Sequence, residues 1–514
     1  MIGSKKCIVI GGGFGGMAAA LRARKKGYDV TIIDKAQRLG GKAQVYSYGG
    51  FRHDAGPTVI TAPHLFDELF SLFDKKREDY IAFTKLDLWY RFRFHDGSTF
   101  NYGGSIEDTL AEIAKIAPED QAGYQDLLKA SKAIYDVGFA KLSDQPFHQL
   151  SSLLRHTPSM LKLRSYRSVW QLVSRYLKSE KLRQAFSIQP LLVGGNPFDT
   201  TSIYNLIHFL ERKDGIFFPV GGTGALVDAL TQLMLDVGIK IELGRTITAI
   251  RVNKNNAVTG VLTDEKRHIG CQAIIANTDP SFLYSQMLPK QSVKRSALLK
   301  NKYAQKSMGL YVLFFATTKQ YPEVAHHTIS MGPRYQGLLN DIFNKKIITD
   351  DFSLYLHRPT ATDPSFAPHG CDSFYALVPV PNLQGGQNWQ TLGPRLQEKV
   401  LDELESTLLP GLRKHLDHAF FKTPADFKLE HLCPDGEAFS IAPKFYQSAW
   451  FRYHNKAEGP KNLYLVGAGT HPGAGLPGVL CSAKVVDKLM TPIQNKPSST
   501  RPLNHHESET HIQA

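Results

Sequence analysis

The 514-residue sequence predicts an α/β fold: a parallel sheet packed by helices, a separate antiparallel sheet and a helical subdomain. Three observations carry this expectation. A β-rich apolar run, Lys6 to Ile10, leads directly into Gly11, Gly12, Gly13, Gly15 and Gly16 and then into the small helix formers Met17 to Leu21. Ser307 to Ala316, Asp351 to His357 and Ser373 to Val380 alternate or run apolar, as strands of an antiparallel sheet do. From about Ala122 to Leu210 the pattern is mostly helical, with Gly194-Gly195-Asn196-Pro197 as its clear interruption. At about 150 residues per domain the length suits two to four domains. Hydrophobic residues at 42% and charged residues at 21% exclude a collagen, a mostly disordered polymer and a polytopic membrane protein.

The first element is a strand buried on both faces, Lys6 to Ile10, followed at once by a turn in which Gly11, Gly13 and Gly16 match G-x-G-x-x-G. The first glycine makes the tight turn, the second lets a pyrophosphate approach the backbone, and the third admits close helix–strand packing. The helix that follows presents free N–H groups and its positive dipole end to the phosphates. A second strand, Asp29 to Ile33, ends at Asp34, 18 residues after Gly16, where an acid accepts hydrogen bonds from ribose hydroxyls and repels a 2′-phosphate. Strand, turn, helix, strand and acid in this order predict a Rossmann-like dinucleotide site rather than an ordinary glycine-rich turn. Lys5-Lys6 before an apolar stretch superficially resembles a signal peptide, but five glycines in six positions would weaken a signal helix badly.

Further along, Arg38-Leu39-Gly40-Gly41 resembles the segment that lies along the pyrophosphate in flavoproteins of the amine-oxidase and phytoene-desaturase type, which favours FAD over NAD. Asp54 to Thr58 resembles the stretch beside the flavin ring; as residues alone it is a Gly-Pro turn. Leu88 to Phe94 reads as a charged strand, and Ser105 to Asp108 as a capping box opening a helix to about Ala117. Gly221 to Gly224 lacks G-x-G-x-x-G and an acid in register, so it is expected to open a helix rather than form a second nucleotide site. Ile239 to Arg251 and Val258 to Leu262 read as strands. The expected division is 1–75, 215–290 and 430–490 for a discontinuous FAD-binding domain, 76–121 and 291–429 for a substrate domain, 122–214 for a helical subdomain, and 491–514 for a disordered tail whose His505-His506 pair is solvated.

Near the end, a buried strand at Asn462 to Val466 precedes a second glycine-rich junction, Gly467 to Gly478, and a helix from about Val479 to Leu489. This stretch, NLYLVGAGTHPGAGLPGV, is very similar to the C-terminal signature of bacterial-type phytoene desaturases. LLVGGNPF (Leu191 to Phe198), FPVGGTGAL (Phe218 to Leu226), AHHT (Ala325 to Thr328) and QSAWFR (Gln447 to Arg452) agree with the same family. The resemblance implies FAD as the sole cofactor, a long apolar isoprenoid as substrate, and a membrane-associated enzyme of carotenoid synthesis. Carried over by position, it implies that Gly11, Gly13, Gly16, Asp34, Arg38, Gly41, Lys42, Thr58, Gly469, Gly478 and Val479 line the FAD, with a surface position as the other reading of Lys42.

Desaturation of an unactivated isoprenoid removes a hydride and a proton, so the flavin carries the hard step and the protein orients, excludes water and offers a weak proton acceptor. His471 is the candidate side chain for that help; its other reading is a histidine structuring the Gly-Pro turn. The net charge of +14 favours anionic partners. Arg155 to Arg183 sets eight basic residues against one acid, interleaved with apolar and aromatic ones, as in a helical surface resting on anionic lipid on the inner face of the cell membrane. The bland alternative is a solvated helix. No nucleic-acid motif is present. The five cysteines are far apart and in no metal-like pair, so neither disulfides nor a metal is expected. Without a second dinucleotide fingerprint, a quinone or oxygen is the expected electron acceptor. An amine oxidase and a non-catalytic binder of prenyl groups on the same scaffold are the alternatives.

Overall fold

A computed structural model describes residues 5–493. The tail expected at 491–514 lies outside the described residues from 494 onward. Five strands form a parallel sheet: β1 (Lys6–Ile10), β2 (Asp29–Ile33), β3 (Lys240–Glu242), β4 (Ala273–Ala276) and β5 (Leu463–Leu465), in the order β5-β4-β1-β2-β3. The two ends of the chain therefore meet in one sheet. Cys7, Val9, Val30 and Ile32 are buried against helices α1 (Phe14–Lys25), α2 (Gly222–Asp236) and α3 (Leu476–Leu489), while Ile8, Ile10, Ile33 and Ile274 are buried on the other face. Burial on both faces is why these strands run apolar without alternating.

The strand expected over Ile239 to Arg251 is two strands. β3 ends at Glu242, and Gly244 takes a left-handed φ of 66°, turning the chain out of the sheet. The remainder, Ile247–Val252, joins Val258–Thr263 and His268–Gly270 in a three-stranded antiparallel sheet. The capping box at Ser105 forms as read: the Asp108 N–H donates to Ser105 Oγ over 3.0 Å, the Ser105 N–H donates to the Asp108 carboxylate over 2.8 Å, and the helix covers Ile106–Ile116.

The second large sheet has seven strands in the order Leu416–Lys422, Gly309–Thr317, Asp372–Val380, Leu354–His357, His327–Ser330, Leu88–Arg93 and Thr99–Gly103. It is antiparallel except for one parallel pair, His327–Ser330 with Leu88–Arg93. In Gly309–Thr317 every residue is buried, and the side-chain period of two divides them: Tyr311, Leu313 and Phe315 pack under the helix Trp389–Thr407, while Leu310, Val312 and Phe314 face the interior cavity described below. Helices Gln121–Gly138, Leu150–Lys162, Val169–Tyr176, Glu180–Phe186 and Leu206–Asp214 make the helical part, and residues of the first, second and last of these line the other side of the cavity. No helix among the described residues is long and apolar enough to cross a membrane.

Candidate functional site

The two glycine junctions meet at Asn277, the residue that follows β4. A Cβ on Gly13 would lie 2.9 Å from Asn277 Nδ2, and one on Gly15 would lie 2.8 Å from Asn277 Oδ1 and 3.2 Å from the Gly467 nitrogen. Only glycines leave the backbone open here. Gly11 has φ 90°, as a tight turn after β1 requires, and a Cβ on Gly16 would collide with the Gly11 carbonyl oxygen. Asp34, at the end of β2, points back to this turn: its carboxylate accepts the Gly12 N–H at 2.6 Å and the Ala36 N–H at 2.9 Å.

These elements open into one cavity of about 620 Å³. Gly11, Gly13, Asp34, Gly41, Lys42, Thr58, Gly469, His471, Gly478 and Val479 all line it. Two of the expected residues do not. Gly16 sits behind the turn, where its lack of a side chain permits the close helix–strand contact. Arg38 turns away: its guanidinium donates to the Gly224 carbonyl at 2.9 Å and pairs with Asp228 at 2.7 Å, tying the segment after β2 to α2. Arg38, expected along the pyrophosphate, thus lies outside the cavity lining in this arrangement, with its charge satisfied by Asp228. Lys42 is half-buried rather than a surface lysine, and its ammonium donates to the Ala438 carbonyl.

Thr58 Oγ1 lies 2.6 Å from the Tyr375 hydroxyl and 3.0 Å from that of Tyr355, so two strands of the large sheet hold it at the cavity wall. The second glycine cluster is a helix N-terminus: the Thr223 and Gly224 N–H groups of α2 donate to the buried Asp54 carboxylate, which burial nevertheless pushes up to about 6. That anion already occupies the place where a phosphate would bind.

His471 lies 3.0 Å from the Leu142 carbonyl through Nε2 and packs against Phe147, with ring centroids 4.6 Å apart. Burial lowers it to about 4, so the ring is neutral at physiological pH, with Nε2–H donating to Leu142 and Nδ1 unprotonated. It both structures the junction and faces the cavity.

One lining group escaped sequence reasoning. Glu211, fully buried on the helix Leu206–Asp214, accepts the Tyr90 hydroxyl at 2.9 Å on Oε1, while Oε2 has no hydrogen-bond partner among the described residues. Burial raises its carboxyl to about 7 despite that hydrogen bond. Its only trace in the sequence is spacing: Glu211 follows Ile207 by four residues on the face that meets the cavity.

The cavity extends from the glycine turns between apolar walls, including Ile188, Leu191, Ile203, Leu310, Val312 and Phe314. A cradle of backbone that any Cβ would fill, an acid at the end of β2 and a helix N-terminus opposite fit a flavin dinucleotide, and the apolar remainder fits a hydrocarbon chain.

Comparison with known proteins agrees with this geometry. The model of the flavin-containing amine oxidoreductase family matches residues 14–486. A lycopene-forming phytoene desaturase of Pseudescherichia vulneris is 44% identical over 489 residues, covering 95% of this chain and 99% of that protein. The lycopene-forming enzyme of Pantoea ananas is 43% identical over 490 residues, with the same coverage of both. Among solved structures, putrescine oxidase bound to putrescine shares the fold, with a TM-score of 0.62 at 13% identity over 94% of this chain and 98% of the other. The chain belongs to the flavin-containing amine oxidoreductases and, within them, to the bacterial-type phytoene desaturases.

Proposed function

We propose that this enzyme desaturates phytoene, or a closely related acyclic carotenoid precursor, by loss of a hydride and a proton. The observation that carries the reading is the continuous cavity that begins at the glycine turns and runs on between largely hydrocarbon walls, among them Ile188, Leu191, Ile203, Leu310, Val312 and Phe314. FAD, when bound, supplies the hydride-accepting ring. Gly11, Gly13, Gly41, Gly469 and Gly478 open the backbone to it, and Asp34 receives its ribose. Leu310, Val312 and Phe314 hold the substrate chain by shape and keep water out. Oε2 of Glu211 accepts the proton, since a carboxyl raised to about 7 is ionised in part at working pH and is a stronger base there than an ordinary carboxylate. The neutral His471, being a weaker base, positions the junction instead.

The same reading assigns residues 1–75, 215–290 and 430–490 to the FAD-binding domain, 76–121 and 291–429 to the substrate domain and 122–214 to the helical subdomain. It places the protein on the inner face of the cell membrane, with a quinone or oxygen as electron acceptor. The helix Leu150–Lys162 buries none of its residues; Leu150, Leu154 and Leu161 are 54%, 66% and 56% exposed, beside the basic Arg155 and Lys162. It packs near Ala449–Phe451, where Tyr446 and Phe451 are also exposed, and Met160, Ser448 and Ala449 line the cavity, so an apolar surface adjoins a route into it. The later part of the basic stretch is different: Val169, Leu172 and Leu177 are buried in the core, which moves the docking face to the first helix.

The test is direct. Purified enzyme with FAD and phytoene in liposomes should yield more conjugated products on chromatography. Absence of such products, together with faster oxidation of polar amines, would overturn the reading in favour of an amine oxidase.

A further inference from the structure

We propose that His326, His327 and His357 form a binding site for a divalent transition metal of the zinc class, outside the flavin cavity. The AHHT segment brings two of these histidines together in sequence; the fold adds the third. His327 opens the strand His327–Ser330 and stands directly opposite His357, the last residue of Leu354–His357, in antiparallel register. One ring nitrogen from each of the three lies within 4.8 Å of the others. The ring centroids are 4.5, 4.8 and 5.4 Å apart, and all three residues are buried. None of them lines the flavin cavity.

The hydrogen bonds determine which nitrogens are free. His326 Nδ1 lies 2.7 Å from Thr362 Oγ1, and His327 Nδ1 lies 2.6 Å from the Tyr355 hydroxyl. With Nδ1–H donating in both, each Nε2 carries a lone pair, and among the described residues neither Nε2 has a hydrogen-bond partner; both nitrogens of His357 are likewise without one there. Histidine ligands of metals show this outer arrangement, the second nitrogen being fastened to an oxygen so that the first is aimed. Four such nitrogens stand unpaired in a dry interior, an unfavourable state that a shared cation relieves at three of them, one on each ring.

Protonation does not solve the problem. Burial holds all three imidazoles below their ordinary range, helped by the Arg358 charge at His326 and by the neighbouring histidines at His327 and His357. The surroundings are apolar or already neutralised: Phe218 packs 4.8 Å from His326 and Tyr90 lies 5.9 Å from His327. The nearby Arg358 is paired with buried Asp372 at 2.9 Å. Three neutral nitrogens and no carboxylate select zinc-like ions over magnesium or calcium, which demand oxygen. Zinc–nitrogen bonds of about 2.0–2.1 Å put nitrogens roughly 3.4 Å apart, so binding draws the rings in by no more than about 1.5 Å. A water takes the fourth position. The ion joins neighbouring strands at the middle of the large sheet, and through His327, Tyr355 and Thr58 it braces the cavity wall.

The experiment uses the full-length, FAD-loaded protein without an affinity tag. Elemental analysis after dialysis should find about one equivalent of zinc in the wild type, retained in His505→Ala/His506→Ala and reduced at least fivefold in His357→Gln. Stripped wild type should gain several degrees in Tm with Zn²⁺ and none with Mg²⁺. X-ray absorption at the zinc edge of the wild type should show nitrogen or oxygen neighbours at about 2.0–2.1 Å and no sulfur, a result that does not depend on any variant folding. Less than 0.2 equivalent with no zinc-induced shift, unchanged content in His357→Gln, or a sulfur shell would each overturn the proposal; the first would leave the cluster holding a buried water instead.

Discussion

The Asp34 carboxylate accepts the Gly12 N–H at 2.6 Å, so the acid at the end of β2 braces the glycine turn at the end of β1 from 22 residues away. The residue expected to meet the ribose also shapes the turn that meets the phosphates. Each of its oxygens already holds one backbone donor and keeps capacity for a second.

Asp34→Ala removes both functions. A charge-assisted hydrogen bond of this kind contributes about 1.5–3 kcal/mol, so FAD affinity should fall by at least tenfold. Flavin absorbance per mole of purified protein checks this, and full occupancy in the variant would show that the carboxylate contributes nothing.

Gly16→Ala tests packing rather than contact. The new methyl meets the Gly11 carbonyl behind the cavity, where neither backbone can yield cheaply. Overpacking of this sort costs about 1–3 kcal/mol. Thermal unfolding should begin several degrees lower, with flavin lost alongside.

Glu211→Gln separates stability from activity. Because the folded carboxyl is raised from 4.5 to about 7, folding favours its neutral form: that contribution is complete below pH 4.5 and is lost as pH rises through about 7. The variant should therefore be more stable than wild type at pH 8, by up to ~3 kcal/mol, and equal to it near pH 4. Desaturation, in contrast, should drop by about 10²–10⁴, and the rise in wild-type rate through about pH 7 should vanish. Unfolding curves and rate profiles across pH 4–9 measure both.

Leu150→Glu, Leu154→Glu and Leu161→Glu together should abolish sedimentation with anionic liposomes while leaving FAD content unchanged, since no residue of that helix is buried. The basic residues nearby contribute about 1 kcal/mol each to the same docking, so high salt should weaken wild-type binding without eliminating it. Undiminished binding of the triple variant would remove this helix from the docking surface.

The sequence alone determined the local devices: the turn at Gly11 to Gly16, the acid at Asp34, the capping box at Ser105, the second junction at Gly467 to Gly478, and the family to which they point. Each is a short-range pattern in which neighbouring residues dictate their own backbone. What depended on long-range pairing was decided by the tertiary structure. Arg38 carries the family's motif yet spends its charge on Asp228, a partner 190 residues away. Gly244 splits an apparent strand because its two halves belong to different sheets. Glu211 reads as one more acid in a helix until the fold buries it against Tyr90 and raises its carboxyl, and His357 has no sequence link to His326 and His327 until strand register sets it opposite them. Burial and register are properties of the assembled sheet, and they change the chemistry of a side chain without leaving a mark on its neighbours in the chain.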